Sequence, residues 1–507
     1  MKVNLLNCQD YISSDVAPFK NDLAEDLMLE PIFQTMAKKD QFVYQACKNV
    51  LLSPSSDRKN ILYRQSAVKE AVEHKKYIFQ LYVTIAEVFT DLTNLRTRSK
   101  KDGNPLPAVR VMNAIEMLDL LSSGLEKLKN VVVDANNQFP QGIFRTFFED
   151  FLKEYDNNFM VLVHEKCRSL SVLQLDGEVS ISGKIGRGMK CDGLLVNSIS
   201  EFQPKKKFEK WESLFNTKIK KNEIRISYDD VRLTRDCKDL ESTSLLHVAS
   251  CFEDFNKEIS RLFENLRTQI AFFYGCCNLH TQMSGMAFRL CFPTIEDHYH
   301  AIEANDIYDL SLAISTLKRP MENNIKGEDT LLYIITGINH GGKSCFLRSI
   351  AISQILAQCG LFVPCTKMTT SLFNGIFTHF VRNEDKTMNA GRLEEELSRL
   401  NRIVDAMNPG SIIFLNESFA TTSENEGGAI ADDIIKAFTD HSVTVFFVTH
   451  IYAYAKKAYN ENYSRTKFLQ TERNDRNERT YRIIEGAPST TGYGMEIYNR
   501  IIGTKKE

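Results

Sequence analysis

Several features that would quickly fix a class are missing from this sequence. No apolar run reaches the roughly 18 residues that a bilayer-crossing helix requires, so no membrane partner is expected. The opening, Met1 to Asp10, has neither a basic start nor a continuous apolar stretch, which argues against a secretory leader and for a cytoplasmic protein. Twelve cysteines are scattered from Cys8 to Cys365 without a single CxxC pair, so no zinc ribbon or thioredoxin-like centre is encoded. The adjacent Cys276 and Cys277 lie in an apolar stretch and read as small buried hydrophobes of a reducing compartment. The net charge of -2 excludes a uniformly basic nucleic-acid binder and leaves room only for a local basic patch.

What is present is an ordinary globular composition, 43% apolar and 25% charged, over 507 residues, enough for about three domains. From Asp22 to Lys166 apolar residues recur at three and four positions. Ala67, Val68, Ala71, Val72, Ile78, Leu81, Tyr82 and Ile85 make one helical face, and Val111, Ile115, Leu118, Leu121, Leu125 and Leu128 another. The polar stretch Thr97 to Pro107 reads as the break between them. Residues 1–168 are thus expected to form a helical domain.

A small β or mixed insert is expected over residues 169–240. Short alternating runs from Val172 to Ile185 fit a hairpin turning at Asp176 and Gly177. Seven lysines from Lys205 to Lys221 then crowd around Phe208, Trp211 and Phe215. Such a mixture can grip phosphates and stack bases. It can equally be a solvated face over a local aromatic core, a reading favoured by the diluting Glu201, Glu209 and Glu212. Residues 241–300 are expected to hold a long helix and a linker, since Phe255, Ile259, Leu262, Leu266, Ile270 and Phe273 form a heptad-like seam. A lever and a plain bundle helix fit that periodicity equally well.

The chemistry concentrates in residues 301–507. Leu331 to Ile335 is wholly apolar, as a parallel strand covered on both faces would be. Gly337, Ile338, Asn339, His340, Gly341, Gly342, Lys343 and Ser344 follow at once and satisfy G-x-x-x-x-G-K-[ST]. The glycines let backbone N–H groups converge on phosphate oxygens, Lys343 neutralises the β and γ phosphates, and Ser344 is a Mg²⁺ ligand. From Cys345 to Gln358 the spacing is helical, so the phosphates, and Cys345 beside them, would sit at a helix N-terminus.

A second apolar strand, Ile412 to Leu415, ends in Asn416 and Glu417. This pattern places a metal ligand at Asn416 and the general base at Glu417. A neutral amide at 416, where an aspartate is expected, holds Mg²⁺ more weakly and implies slow hydrolysis. A third strand, Val443 to Val448, leads to Thr449 and His450. Alone, His450 could be a cap or a core residue; following the other two motifs in order, it reads as a sensor of the γ-phosphate.

Together these residues resemble the ATPase domain of the MutS family, the ABC-related ATPases of DNA mismatch repair. Ile335 to Arg348, ITGINHGGKSCFLR, is similar to the family's TGxNxGGKSTxLR. In Asn416 to Gly427, NESFATTSENEG, Glu417, Thr422, Ser423 and Gly427 stand in register with the family's stretch, and Thr449 and His450 match its Thr-His pair. Thr480 to Pro488 resembles the family's terminal strand and turn, and Asp22 to Arg64 resembles the start of its core or lever domain.

The resemblance implies a multidomain α plus α/β chain, a helical core and lever region followed by an ABC-type P-loop domain. It implies ATP and Mg²⁺ as cofactors, a homodimer with nucleotides at the subunit interface, and DNA as the partner, in repair or recombination. It also implies that Asn324 lies near the base, and that Arg392, in the Gly391-Arg392-Leu393-Glu394 replacement of the family's GRST signature, reaches the partner's nucleotide. The N-terminal mismatch-reading domain is expected to be lacking. Two other functions remain open: an ATP-driven adaptor on ribosomal RNA or protein, and a nucleotide switch that barely hydrolyses.

Overall fold

The computed structural model describes residues 2–8, 19–99, 107–162, 165, 178–185, 191–200, 231–296, 300–381, 391–474 and 479–489. The lysine-rich stretch from Lys205 to Lys221 lies outside them. The chain divides into two compact units.

One unit gathers residues 79–141 and 145–267 with the first three residues. Its frame is made of helices: α5 (Lys75–Ser99) from residue 79, α6 (Pro107–Asn136), α7 (Ile143–Glu154) from residue 145 and the first part of α8 (Val231–Gly285). The expected seam of α6 is buried at Val111, Ile115, Leu118, Leu121, Leu125 and Leu128, and packs with Leu81, Ile85 and Val88 of α5 and Ile259, Leu262 and Phe263 of α8 in the core. Arg110 of α6 makes a two-pronged ion pair with Glu253 of α8, and Asn256 donates to the Ala114 carbonyl at 2.7 Å. On α7, Phe147, Phe148, Phe151 and Tyr155 form a ladder of edge and tilted ring contacts. A hairpin is present, and the first arm and turn of the one expected from Val172 lie outside the described residues. β1 (Glu178–Ile185) pairs with β2 (Cys191–Ser200), with Glu178 opposite Ser200. The alternation at Val179 and Ile181 marks a strand, as expected.

The other unit gathers residues 4–78, 142–144 and 268–507. Its N-terminal part is α1 (Lys20–Asp26), α2 (Glu30–Ala37), α3 (Gln41–Leu51) and α4 (Arg58–Glu73). Asp40 and Asp57 cap α3 and α4, each accepting from first-turn backbone N–H groups. The face expected to run unbroken from Ala67 to Ile85 is cut, because α4 ends at Glu73 and α5 starts at Lys75, with His74 between them outside the helical region. Both halves still point their apolar residues inward, so periodicity survives a break that it cannot reveal.

The expected segments 1–168 and 241–300 do not coincide with these units: residues 4–78 group with the C-terminal part, and the boundary at 240 falls inside α8. The physical reason is an anchoring of α4 and the segment before it. Arg64 donates to the Leu6 carbonyl at 3.0 Å, to Asn7 and to the Cys359 carbonyl. Gln358 donates to the Ser55 carbonyl at 2.9 Å, and Ser55 returns a backbone bond to Gln358.

Two sheets complete this unit. Four strands, β3 (Thr294–Glu296), β4 (Ile302–Ile307), β5 (Asn323–Gly327) and β7 (Lys367–Ser371), lie in the order β3-β7-β4-β5. Between β4 and β5 runs the short helix α9 (Leu310–Thr316). The larger sheet has β6 (Leu332–Thr336), β8 (Ile376–Phe380), β9 (Ile412–Asn416), β10 (Thr444–Val448), β11 (Thr466–Arg473) and β12 (Arg479–Glu485), in the order β12-β11-β6-β10-β9-β8. All its pairs are parallel except the edge pair β11 with β12.

The three apolar strands read from the sequence are therefore β6, β9 and β10, each within one residue of its expected start. They are buried on both faces, as continuous apolar runs require. One face carries an in-register stack of Tyr333, Phe446 and Phe414, with the first two rings 4.1 Å apart and nearly parallel. The opposite face puts Leu332, Ile334, Ile413, Leu415, Val445 and Phe447 into a core with α11 (Arg392–Ala406), α12 (Glu424–Asp440) and α13 (Tyr452–Asn460). Among the described residues no helix is long and apolar enough to cross a membrane.

Candidate nucleotide site

The site lies where parallel strands deliver their carboxyl ends together. Val448 of β10 is in register with both Ile335 of β6 and Asn416 of β9, so the chain leaves all three strands at one edge of the sheet. In open α/β sheets that edge is where ligands bind.

The loop leaving β6 runs from Gly337 to Gly342 and feeds α10 (Lys343–Gln358). Gly337 has φ 126° and Gly342 φ 98°, conformations that a side chain resists. Space is also short, since a Cβ on Gly337 would meet the Thr471 hydroxyl of β11 at 2.2 Å. That hydroxyl in turn accepts from the Ile338 N–H at 3.3 Å. Ile338 and Gly341 are buried, Gly342 is half-buried, and Asn339 and His340 are exposed.

Lys343 is buried and its ammonium folds back on the loop, donating to the Gly337 and Ile338 carbonyls, each at 2.9 Å. Burial pulls its pKa down to about 8, a fall that the Glu417 carboxylate partly offsets. Ser344 donates from Oγ to Asn416 Oδ1 at 3.0 Å, across the gap between α10 and β9. Cys345 is turned aside: Arg348 donates to its sulfur at 3.3 Å and pairs with the buried Asp309 at 2.8 Å.

Past β9 the chain enters a strained turn, with Glu417 at φ 60° and Phe419 at φ 68°. Glu417 is fixed through its N–H, bonded to the Val448 carbonyl at 2.8 Å, and through its carboxylate, which faces His450 Nε2 at 2.9 Å. A carboxylate only accepts, so His450 donates from Nε2. That hydrogen bond holds the Glu417 pKa below the usual carboxylate range against the effect of burial. The sequence reading aimed His450 at the γ-phosphate; in the structure its Nε2 meets the Glu417 carboxylate.

The turn is buttressed by residues that the motif search missed. The buried Glu396 of α11 accepts from the Phe419 N–H at 2.6 Å and from the Thr421 hydroxyl at 2.7 Å. His379 of β8, also buried, faces the Glu396 carbonyl through Nε2 at 3.2 Å and Ser418 Oγ through Nδ1 at 2.7 Å. Gly427 lets α12 close on this turn, since a Cβ there would sit 2.4 Å from the Phe419 carbonyl oxygen. Only Gly427 had a sequence signal. Glu396 and His379 have none, because what makes them useful is contact between β8, α11 and the loop after β9.

Two outlying candidates fall differently. Asn324 on β5 is exposed and accepts from the Asp306 N–H at 2.8 Å. Its neighbour Asn323 is the one tied to β12, accepting from the Ile483 N–H at 2.7 Å and donating to the Tyr481 carbonyl, and Tyr481 lies against Gly342. Arg392 is the first residue of α11, behind Gly391 at the N-cap; its side chain is outside the described set.

Comparison with known proteins gives the site its context. Residues 56–286 match the model of the MutS2 N-terminal domain, and residues 333–505 match the model of MutS domain V. The chain belongs to the MutS family. The DNA mismatch repair protein MutS of Prochlorococcus marinus (strain AS9601) is 30% identical over 194 residues, 38% of this chain and 21% of that protein. The DNA mismatch repair protein MSH3 of Arabidopsis thaliana is 27% identical over 220 residues, 41% of this chain and 20% of that protein. The DNA mismatch repair protein MutS 2 of Haloarcula marismortui is 26% identical over 208 residues, 40% and 22% respectively. The chain thus spans about a fifth of the length of these MutS relatives. The glycine-rich loop opens four residues into the stretch matched to MutS domain V, and every residue of the site except Asn323 and Asn324 falls inside it.

Proposed function

We propose that the chain is a MutS-type ATPase that binds ATP with Mg²⁺ on the Gly337–Ser344 loop, hydrolyses it slowly, and lets the nucleotide select one arrangement of a homodimer on DNA. The observation that carries this reading is the convergence of Lys343, Ser344, Asn416, Glu417 and His450 at one edge of β6, β9 and β10. The mismatch-repair names of the relatives support DNA as the partner.

Lys343 is held in place by two carbonyls that a triphosphate would replace, so the ammonium exchanges neutral acceptors for anionic oxygens without leaving its cavity. The N-terminus of α10 adds its dipole to the same charge. Ser344 Oγ and Asn416 Oδ1 are neighbouring oxygen donors of the kind Mg²⁺ takes, the remaining positions being left to phosphate and water, so the residues fit the ion and would hold it. Bound there, Mg²⁺ neutralises phosphate charge. Because Asn416 supplies no charge of its own, the ion is held less firmly than by a carboxylate.

Glu417 is ionised at neutral pH and aimed by His450, so it can orient a water and accept its proton. A carboxylate held below its ordinary pKa is a weak base, which is a second reason for slow turnover. We further propose that Arg392 reaches the nucleotide of the other subunit and that Asn324 lies near the base.

Calorimetry with ATP and Mg²⁺ tests the reading: the full chain is expected to bind, and Lys343→Ala to lose binding while staying folded. No heat from correctly folded protein would end it. A salt titration on duplex DNA tests the partner. A steep fall in affinity with salt is expected, whereas binding to folded RNA without any to DNA would replace DNA with RNA.

A further inference from the structure

Among the described cysteines, two groups contrast. Cys47, Cys276, Cys277 and Cys359 are buried, and burial pushes their thiols up, which keeps them protonated and inert. Cys291 and Cys365 are different. Their sulfurs lie 3.4 Å apart although the residues are separated by 74 positions, and Cys291 is half-buried, open to a small solute.

Backbone bonds hold the two thiols together. Cys291 and Val363 exchange both backbone hydrogen bonds, at 3.1 and 2.8 Å. On either side of Cys365, the Pro364 carbonyl accepts from the Tyr308 N–H at 3.2 Å and the Thr366 N–H donates to the Asn305 carbonyl at 3.0 Å. Neither strand of this junction can separate without breaking that ladder. A disulfide needs sulfurs about 2.05 Å apart, so the pair must close by about 1.4 Å, a distance that side-chain rotation covers.

We propose that Cys291 and Cys365 are a redox-active pair that a hydroperoxide converts to a reversible disulfide, stapling the segment that follows α8 to the segment that follows α10. The Cys291 thiolate attacks one peroxide oxygen, the O–O bond breaks, and Cys291 becomes a sulfenic acid as hydroxide leaves and takes up a proton. Cys365 then attacks the Cys291 sulfur, the S–O bond breaks, and a second water departs with the proton of the Cys365 thiol. The two sulfurs together lose two electrons and the peroxide gains them. The roles follow from position: Cys291 is the half-buried thiol that a solute reaches and so attacks first, and the buried Cys365 beside it resolves the sulfenic acid. In a reducing compartment, a pair that closes only under oxidant and reopens with thiol acts as a sensor, not as a permanent brace.

The test treats the full-length reduced chain with hydrogen peroxide, blocks remaining thiols with iodoacetamide, and digests it with trypsin without reductant. The expected product is peptide Leu290–Lys318 linked to peptide Ser349–Lys367, two hydrogens lighter than the sum and separated by dithiothreitol. Because the second peptide also contains Cys359, the link is expected to survive Cys359→Ser and to vanish in Cys365→Ser and in Cys291→Ser. A reversible rise in Tm on oxidation is expected in the unmodified chain and not in Cys291→Ser, since the staple closes a long loop in the unfolded state. Recovery of Cys291 as sulfinic acid with Cys365 alkylated, a link from Cys291 to another cysteine, or full alkylation of both would each overturn the proposal.

Discussion

The loop leaving β6 and the turn leaving β9 stand side by side at one sheet edge, yet they are specified in opposite ways. The first is written into consecutive residues: Gly337 and Gly342 take the left-handed backbone and Lys343 folds onto its own loop, with Thr471 and Tyr481 closing on it from β11 and β12. The second is held from outside. Glu417 and Phe419 occupy the left-handed region without being glycine, which costs on the order of 1–3 kcal/mol each, and the bonds that stabilise them come from Val448, His450 and Glu396. A local motif therefore builds the glycine-rich loop, while the orientation of Glu417 depends on helix α11 and strand β10. Binding and turnover should accordingly separate under mutation.

The largest separation is expected from Glu417→Gln. Turnover should fall by about 10²–10⁴-fold, the usual worth of a positioned base, with ATP affinity within twofold of the original. A parallel loss of affinity would show that the two loops are not independent. The converse is Lys343→Ala, expected to weaken ATP binding by roughly a hundredfold, since truncating a buried charged contact costs about 2–5 kcal/mol. Calorimetry reads this directly, and binding at the original affinity would remove the cradle from the account.

Glu396→Ala sharpens the comparison at a residue that touches neither loop's chemistry. It leaves the buried Phe419 N–H without its acceptor, a loss of about 1–3 kcal/mol, and is expected to lower kcat about tenfold with little change in KM. An unchanged kcat would mean that Glu396 merely supports the fold. Smaller still, a few-fold by the charge argument, is the gain expected from Asn416→Asp in turnover and in apparent Mg²⁺ affinity; no gain would discard the explanation of slow hydrolysis offered here.

The last prediction concerns protons. Burial lowers the Lys343 pKa to about 8, and a bound phosphate would raise it. ATP affinity should therefore be highest below about pH 8 and decline as pH rises past it, with proton uptake on binding in that range. Titration calorimetry in buffers of different ionisation enthalpy would measure it, and zero uptake at pH 8.5 would place the ammonium outside the phosphate contact. The sign for folding is the reverse: the unfolded chain binds more protons between about 8 and 10.5, so this lysine costs least stability at high pH.

The same contrast explains what the sequence disclosed. Strands β6, β9 and β10 were legible because burial on both faces leaves an uninterrupted apolar run, and α10 because helical spacing follows a glycine-lysine signature. The break at His74 was hidden because both helices point their apolar residues inward. The second arm of the hairpin, β2, had no signal of its own, because only its pairing with β1 marks it as a strand. Asn323 carried no signal because a strand alternates its faces residue by residue, and only the sheet decides which face meets β12. Glu396 and His379 carry no local pattern at all; their roles arise from tertiary neighbours.

The rear of α10 bears on all of this. Gln358 and Cys359 are bolted to Ser55 and Arg64, while the front of the same helix opens on the glycine-rich loop. A rod clamped at its tail answers a push at its tip by swinging about the clamp, with displacement greatest at Lys343 and nil near Gln358. The N-terminal helices α3 and α4 would then serve as the anvil of the machine, and the sheet edge as the part that yields.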